Sequence, residues 1–167
     1  ANQALRLAAE GKRVVVVSSG DPGVFGRLDE ESGALEAEGI AFAVIPGITA
    51  ASAAAAGIGR SLTRRGRNAE ARFLTGHDMK GFADQDWTAL ARPGAVAAIY
   101  MGKRAARWMQ GRLLMHGADP ATPVTVVENA SRPDAVTVAA TLATLPDDRV
   151  PTSKDWARLS AGWREDL

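Results

Sequence analysis

Asp21 and a cluster of arginines carry the most suggestive chemistry in this chain. Asp21 lies in Ser18-Ser19-Gly20-Asp21-Pro22-Gly23, directly after the run Val14-Val15-Val16-Val17. Gly20 and Gly23 have no Cβ, so a ligand can come close to their backbone. The Asp21 carboxylate accepts hydrogen bonds only, which suits a ligand hydroxyl, amine or cation. An ordinary Asp-Pro-Gly turn explains the same residues equally well. Arg60, Arg64, Arg65 and Arg67 crowd into one polar stretch. Guanidinium forks match planar carboxylates bidentately, so such a cluster suits a polycarboxylate ligand. A solvated basic loop is the plainer alternative.

Several other chemistries find little support. The chain has no cysteine, which excludes disulfides, thiolate metal sites and a cysteine nucleophile, and fits a reducing, cytoplasmic compartment. His77 and His116 have no metal-ligand spacing, and no metal is expected. Neither a Gly-x-Gly-x-x-Gly loop after the first apolar run nor a Walker-type loop is present. A hydrolase trio of Ser19, His77 and Asp21 can be drawn, but no Gly-x-Ser-x-Gly elbow supports it. The net charge of +1 points to no nucleic-acid partner. No apolar run approaches the ~20 residues that span a bilayer, so no membrane partner is expected. The N-terminal Ala-Asn-Gln-Ala-Leu is unlike a signal peptide, and the missing initiator methionine suggests a fragment.

The elements that must position these residues alternate along the 167-residue chain, of which 46% is hydrophobic. A helix is expected over 3–10, with Leu5, Ala8 and Ala9 on one face and Gly11 at its C-cap. The valine run predicts a strand over 13–18, buried on both faces as in a parallel sheet. A helix over 28–38 starts with acids and stops at Gly39, with Gly33 a weak point inside it. A second strand is expected over 40–45, cut off by Pro46-Gly47. Thr49 can cap a helix over 50–56 whose side chains are nearly all small, so that something packs close to its backbone.

Residues 60–70 read as a linker or a ligand-facing loop. Strands follow at 71–75, 95–101, 124–127 and 136–142, with a short helix over 87–91 capped by Asp86. The helix over 103–116 places Ala105, Trp108, Met109 and Leu113 on one stripe and closes at Gly117. A last helix is expected over 154–163. Alternating strands and helices give an α/β fold. Expected strand ends at Gly20-Asp21, Pro46-Gly47, Gly76-His77 and Gly102 converge as they do at a ligand cleft on a sheet edge.

Jointly these segments resemble the tetrapyrrole (precorrin and corrin) methylase family. The matching stretches are Gly11-Lys12-Arg13-Val14-Val15 with Ser19-Gly20-Asp21-Pro22, Ile45-Pro46-Gly47-Ile48-Thr49-Ala50-Ala51-Ser52, Ser61-Leu62-Thr63-Arg64-Arg65, Leu74-Thr75-Gly76-His77, Ile99-Tyr100-Met101-Gly102 and Val127-Glu128-Asn129-Ala130. They occur in family order and cover residues 1 to about 145. The resemblance implies two α/β domains around a cleft, here the C-terminal part of a first domain over 1–60 and a second domain over 61–167. It implies a homodimeric methyltransferase that uses S-adenosylmethionine. Ser19, Gly20, Asp21, Val24, Thr49, Ala50, Met101 and Ala130 would line the cofactor site. Arg64, Arg65 and Arg67 would hold carboxylates of a tetrapyrrole substrate.

The implied reaction methylates two pyrrole carbons of uroporphyrinogen III to give precorrin-2. C17 methylation of precorrin-3B is the alternative, because Ser18-Ser19-Gly20-Asp21-Pro22-Gly23 is closer to the ring-C enzymes. A truncated module that binds without catalysing is a further one. The family's early strand, proline-containing glycine loop and acid/base pair have no counterpart here, so the first domain looks truncated and no catalytic residue is assigned. The stretch 147–167 also departs from the family pattern.

Overall fold

The computed structural model describes residues 2–145. The chain divides into two compact units, with the boundary between Ser52 and Ala53. The expected helix over 154–163 lies outside the described residues.

The first unit opens with α1 (Asn2–Ala9) and continues to α2 (Leu28–Ala37). Leu5 and Ala8 on α1 are half-buried as expected, whereas Ala9 is exposed. Gly33 does not interrupt α2. Both helices end in the same local device. After α1, Gly11 donates to the Ala8 carbonyl and Lys12 to that of Leu7; after α2, Gly39 donates to Glu36 and Ile40 to Leu35. These are Schellman closures, which need a left-handed residue at the turn, and Gly11 and Gly39 have φ of 75° and 65°. Identical closures at Gly59 and Gly117 end α3 (Ala50–Gly57) and α5 (Ala106–Met115).

Neither expected strand of the first unit forms. Residues 13–18 and 40–45 contain no paired strand. Val15 and Val17 are 78% and 88% exposed, and Ile45 is 83% exposed. A valine run favours a pleated, half-buried surface, but it becomes a strand only where a neighbour completes the ladder. No described segment supplies one.

The described part of the second unit holds three separate two-stranded pairs. β1 (Arg72–Thr75) pairs in parallel with β4 (Ala97–Tyr100), in register from Arg72 opposite Ala97 to Thr75 opposite Tyr100. Between them lie a two-residue hairpin, β2 (His77–Asp78) with β3 (Gly81–Phe82), and the short helix α4 (Trp87–Leu90). Asp86 caps α4 as expected, its Oδ1 accepting from the Ala89 amide at 3.0 Å. α5 lays its expected stripe inward: Ala105 and Met109 are fully buried beside Trp87, with Trp108 and Leu113 packed on them. Phe82 stacks on Trp108, and Trp108 meets Trp87 edge to face.

A separate antiparallel pair, β5 (Pro123–Glu128) and β6 (Val136–Thr141), closes the described chain. β5 is not the fully buried strand expected at 124–127; its residues alternate at first between exposed and half-buried. Leu142 is buried just beyond β6, where Gln110 of α5 donates to the Leu142 and Ala143 carbonyls, each at 2.8 Å. Among the described residues no helix is long and apolar enough to cross a membrane.

Candidate functional site

In the first unit the Asp21 loop is clasped to the turn that precedes α3. Asp21 Oδ1 accepts from the Gly23 amide at 2.7 Å, and Oδ2 accepts from the Gly47 amide at 3.2 Å. The first bond is an Asx-type turn, which a short carboxylate forms readily with its own backbone. The second reaches across the sequence and joins two loops. Both oxygens are therefore engaged, although a carboxylate retains lone pairs for a further donor.

The two loops touch backbone to backbone. A Cβ placed on Gly47 would stand 2.1 Å from the Gly20 carbonyl oxygen, closer than any side chain permits. Gly20 itself has φ of 80°, and its own Cβ would sit 3.5 Å from the Ile48 carbonyl. Two glycines thus create a seam of bare backbone. Ser19, Gly20, Asp21, Thr49 and Ala50 lie along or beside it. Val24 closes the turn by donating to the Asp21 carbonyl at 3.2 Å. Ala51 is buried, in keeping with the close packing expected of α3, while Ala50 is exposed. In the sequence Gly47 marks the end of an expected strand and belongs to a family-like stretch. Its neighbour Pro46 marked the turn, but no local signal disclosed the partner across the seam.

In the second unit Met101 lies at the C-terminal end of β4 with φ of 54° and an exposed side chain. A left-handed backbone is uncommon for a side chain of this size and is found often at functional positions. Its carbonyl meets His77 Nδ1 at 3.1 Å. Gly76, at the end of β1, is buried against the same turn; a Cβ there would stand 2.9 Å from the Met101 oxygen. His77 thus supports the Met101 turn. Ala130 falls between two left-handed residues, Asn129 and Ser131, beyond the end of β5. β5 pairs with β6 and not with the β1–β4 sheet, so no strand ladder brings Ala130 to Met101.

The arginine stretch is an ordered turn. The Arg64 carbonyl accepts from the amides of Arg67 and Asn68, at 3.0 and 3.1 Å. Gly66 supplies the left-handed residue, with φ of 75°. Residues 63–69 line a shallow concavity of ≈ 580 Å³. The side chains of Arg64, Arg65 and Arg67 are exposed, and none is paired with a carboxylate among the described residues. Glu70, the acid nearest in sequence, is taken by Arg72 at 3.0 Å.

Residues 1–146 match the Tetrapyrrole (Corrin/Porphyrin) Methylases, and the chain belongs to that family. Siroheme synthase from Azotobacter vinelandii is 44% identical over 142 residues, which is 85% of this chain and 31% of that protein. Siroheme synthase from Gluconacetobacter diazotrophicus is 46% identical over 143 residues, 85% of this chain and 30% of that protein. The chain thus spans under a third of the curated relatives that it matches.

The fold resembles a crystal structure of uroporphyrin-III C-methyl transferase from Thermus thermophilus complexed with S-adenyl homocysteine. The TM-score is 0.75 at 33% identity, covering 90% of this chain and 66% of that one. A cobalt precorrin-4 methyltransferase is similar with TM-score 0.76 at 26% identity, covering 96% of this chain and 64% of that one. The α/β, tetrapyrrole-methylase-like fold expected from the sequence is therefore the fold observed.

Proposed function

We propose that this chain serves the S-adenosylmethionine-dependent C-methylation of uroporphyrinogen III to precorrin-2, on the route to siroheme and cobalamin. The observation that carries the reading is the backbone seam between Gly20 and Gly47, locked by Asp21. There the two loops meet backbone to backbone with no room for a Cβ, which fixes the shape of the stretch expected to hold the cofactor. The likeness to siroheme synthases supports this substrate over precorrin-3B.

S-adenosylmethionine supplies an electrophilic methyl group on a sulfonium. Ser19, Gly20, Asp21, Val24, Thr49 and Ala50 hold it through backbone and small side chains; Met101 and Ala130 are assigned to it on family resemblance. Methyl transfer to a ring carbon needs chiefly proximity and alignment, so rigid loops suffice for this part of the work. Arg64, Arg65 and Arg67 grip substrate carboxylates. No acid or base is assigned within this chain. Two α/β domains over 1–60 and 61–167, a homodimer and a cytoplasmic location complete the proposal.

The test is transfer of labelled methyl from S-adenosylmethionine to uroporphyrinogen III by the protein as expressed from its own gene. Formation of labelled precorrin-2 is expected. Binding of S-adenosylhomocysteine with no turnover would replace the enzyme with a binding module. Turnover of precorrin-3B instead would move the substrate to the corrin branch.

A further inference from the structure

We propose that Asn68 is the positioning residue that sets the arginine turn for carboxylate recognition; the inference rests on the reading of that turn as the substrate grip. Asn68 is half-buried beneath exposed arginines, and its side chain uses three hydrogen bonds at once. Its Oδ1 accepts from the Arg64 amide at 3.0 Å. Its Nδ2 donates to the Leu62 carbonyl at 2.9 Å and to the Glu70 carbonyl at 2.8 Å. One amide therefore ties the residue entering the turn to backbone on both sides of it. No other side-chain type of this length offers one acceptor and two donors.

The chemistry of the turn explains why such a tie matters. Three guanidiniums close together repel one another and gain nothing from a fixed geometry until a polyanion arrives. A loose loop would splay them into solvent and lose rotamer and backbone freedom on binding. Holding the Arg64 amide and the backbone at Leu62 and Glu70, on either side of the turn, removes part of that cost beforehand. Gly94 fits the same picture from outside the loop, since a Cβ there would lie 3.1 Å from the Arg67 carbonyl. The ligand class is an anion with several carboxylates spaced around a flat frame, rather than a single small acid.

The experiment measures the affinity of uroporphyrin III, a stable oxidised polycarboxylate tetrapyrrole, by fluorescence titration at fixed ionic strength. Asn68→Ala is expected to weaken it about tenfold while leaving S-adenosylhomocysteine affinity and the circular dichroism spectrum unchanged. Gly66→Ala perturbs the same turn through its left-handed backbone without removing any of the three bonds, and is expected to weaken uroporphyrin III in the same sense. It carries the test should Asn68→Ala fail to fold.

With Arg64, Arg65 and Arg67 all changed to Gln, either substitution should add less than about twofold. If the triple variant binds uroporphyrin III poorly but Asn68→Ala and Gly66→Ala bind it as the parent does, the positioning role is overturned and the grip stands. An equal loss from Asn68→Ala in the parent and triple backgrounds also overturns it, because Asn68 then acts elsewhere. Full affinity in the triple variant overturns the grip itself, and the inference with it.

Discussion

Replacing Gly47 by Ala is the sharpest perturbation of the proposed cofactor cradle. The new Cβ would lie 2.1 Å from the Gly20 carbonyl oxygen, 2.9 Å from its carbonyl carbon and 3.2 Å from the Asp21 Cα. All three are backbone atoms, so no side chain can swing away; one loop must retreat by roughly an ångström to restore ordinary contact. The Asp21–Gly47 bond, at 3.2 Å, is already long and is the first interaction lost. Overpacking of this kind costs about 1–3 kcal/mol. Loss of a hydrogen bond to a charged acceptor adds about 1.5–3 kcal/mol if none replaces it. Gly47 does not have a positive φ, so backbone preference adds nothing to the sum.

The expected result is about 2.5–6 kcal/mol less stability by denaturant titration if the bond is lost without replacement. Affinity for S-adenosylhomocysteine should fall at least tenfold by calorimetry. Gly57→Ala is the control, because nothing lies within 4 Å of where its Cβ would go. Wild-type stability and affinity in Gly47→Ala would refute the seam.

Gly33 lies inside α2 with open space where a Cβ would go, so Gly33→Ala should raise stability by about 0.5–1 kcal/mol in a thermal or denaturant melt. Trp87 Nε1 donates to Asp84 Oδ1 at 2.7 Å, and this bond holds the Asp84 carboxyl below its usual range, with the Gln85 amide helping. A carboxyl lowered on folding contributes stability that is full above its unfolded pKa and is lost as pH falls through the folded value. Trp87→Phe should bring the Asp84 titration, followed by carbon NMR, back up toward the ordinary aspartate value. Substituting Lys for both Val15 and Val17 should reduce self-association in light scattering, since both side chains stand in solvent. Unfolding of that double variant would show instead that these valines are covered in the working protein.

Helix ends were legible in the sequence because their cause is local. A glycine just past an apolar stripe allows the Schellman closure whatever lies elsewhere, and Gly11, Gly39 and Gly117 all behave so. The α5 stripe was legible for the same reason, as 3.6-residue periodicity is a property of one segment. The valine run was not, because a strand is a relation between two segments and its composition states only half of that relation. The β2–β3 hairpin escaped notice because two residues per strand leave no period to read. At the site, Asp21 and the arginines stood out by type. Their working partners, Gly47 and Asn68, did not, since a glycine's contact across a seam and an amide's three bonds exist only after folding.

Gln110 and the residues beyond β6 are 32 and 33 positions apart in the chain. A bond of that span closes a long loop, and its entropy must be overcome before the contact rewards it. It ties α5 to the chain just beyond β6. Interactions absent from the folding barrier leave the folding rate alone and govern the rate of escape. If these bonds form late, Gln110→Ala should leave the folding rate unchanged and raise the unfolding rate in stopped-flow experiments, so that the amide acts as a brake on unfolding.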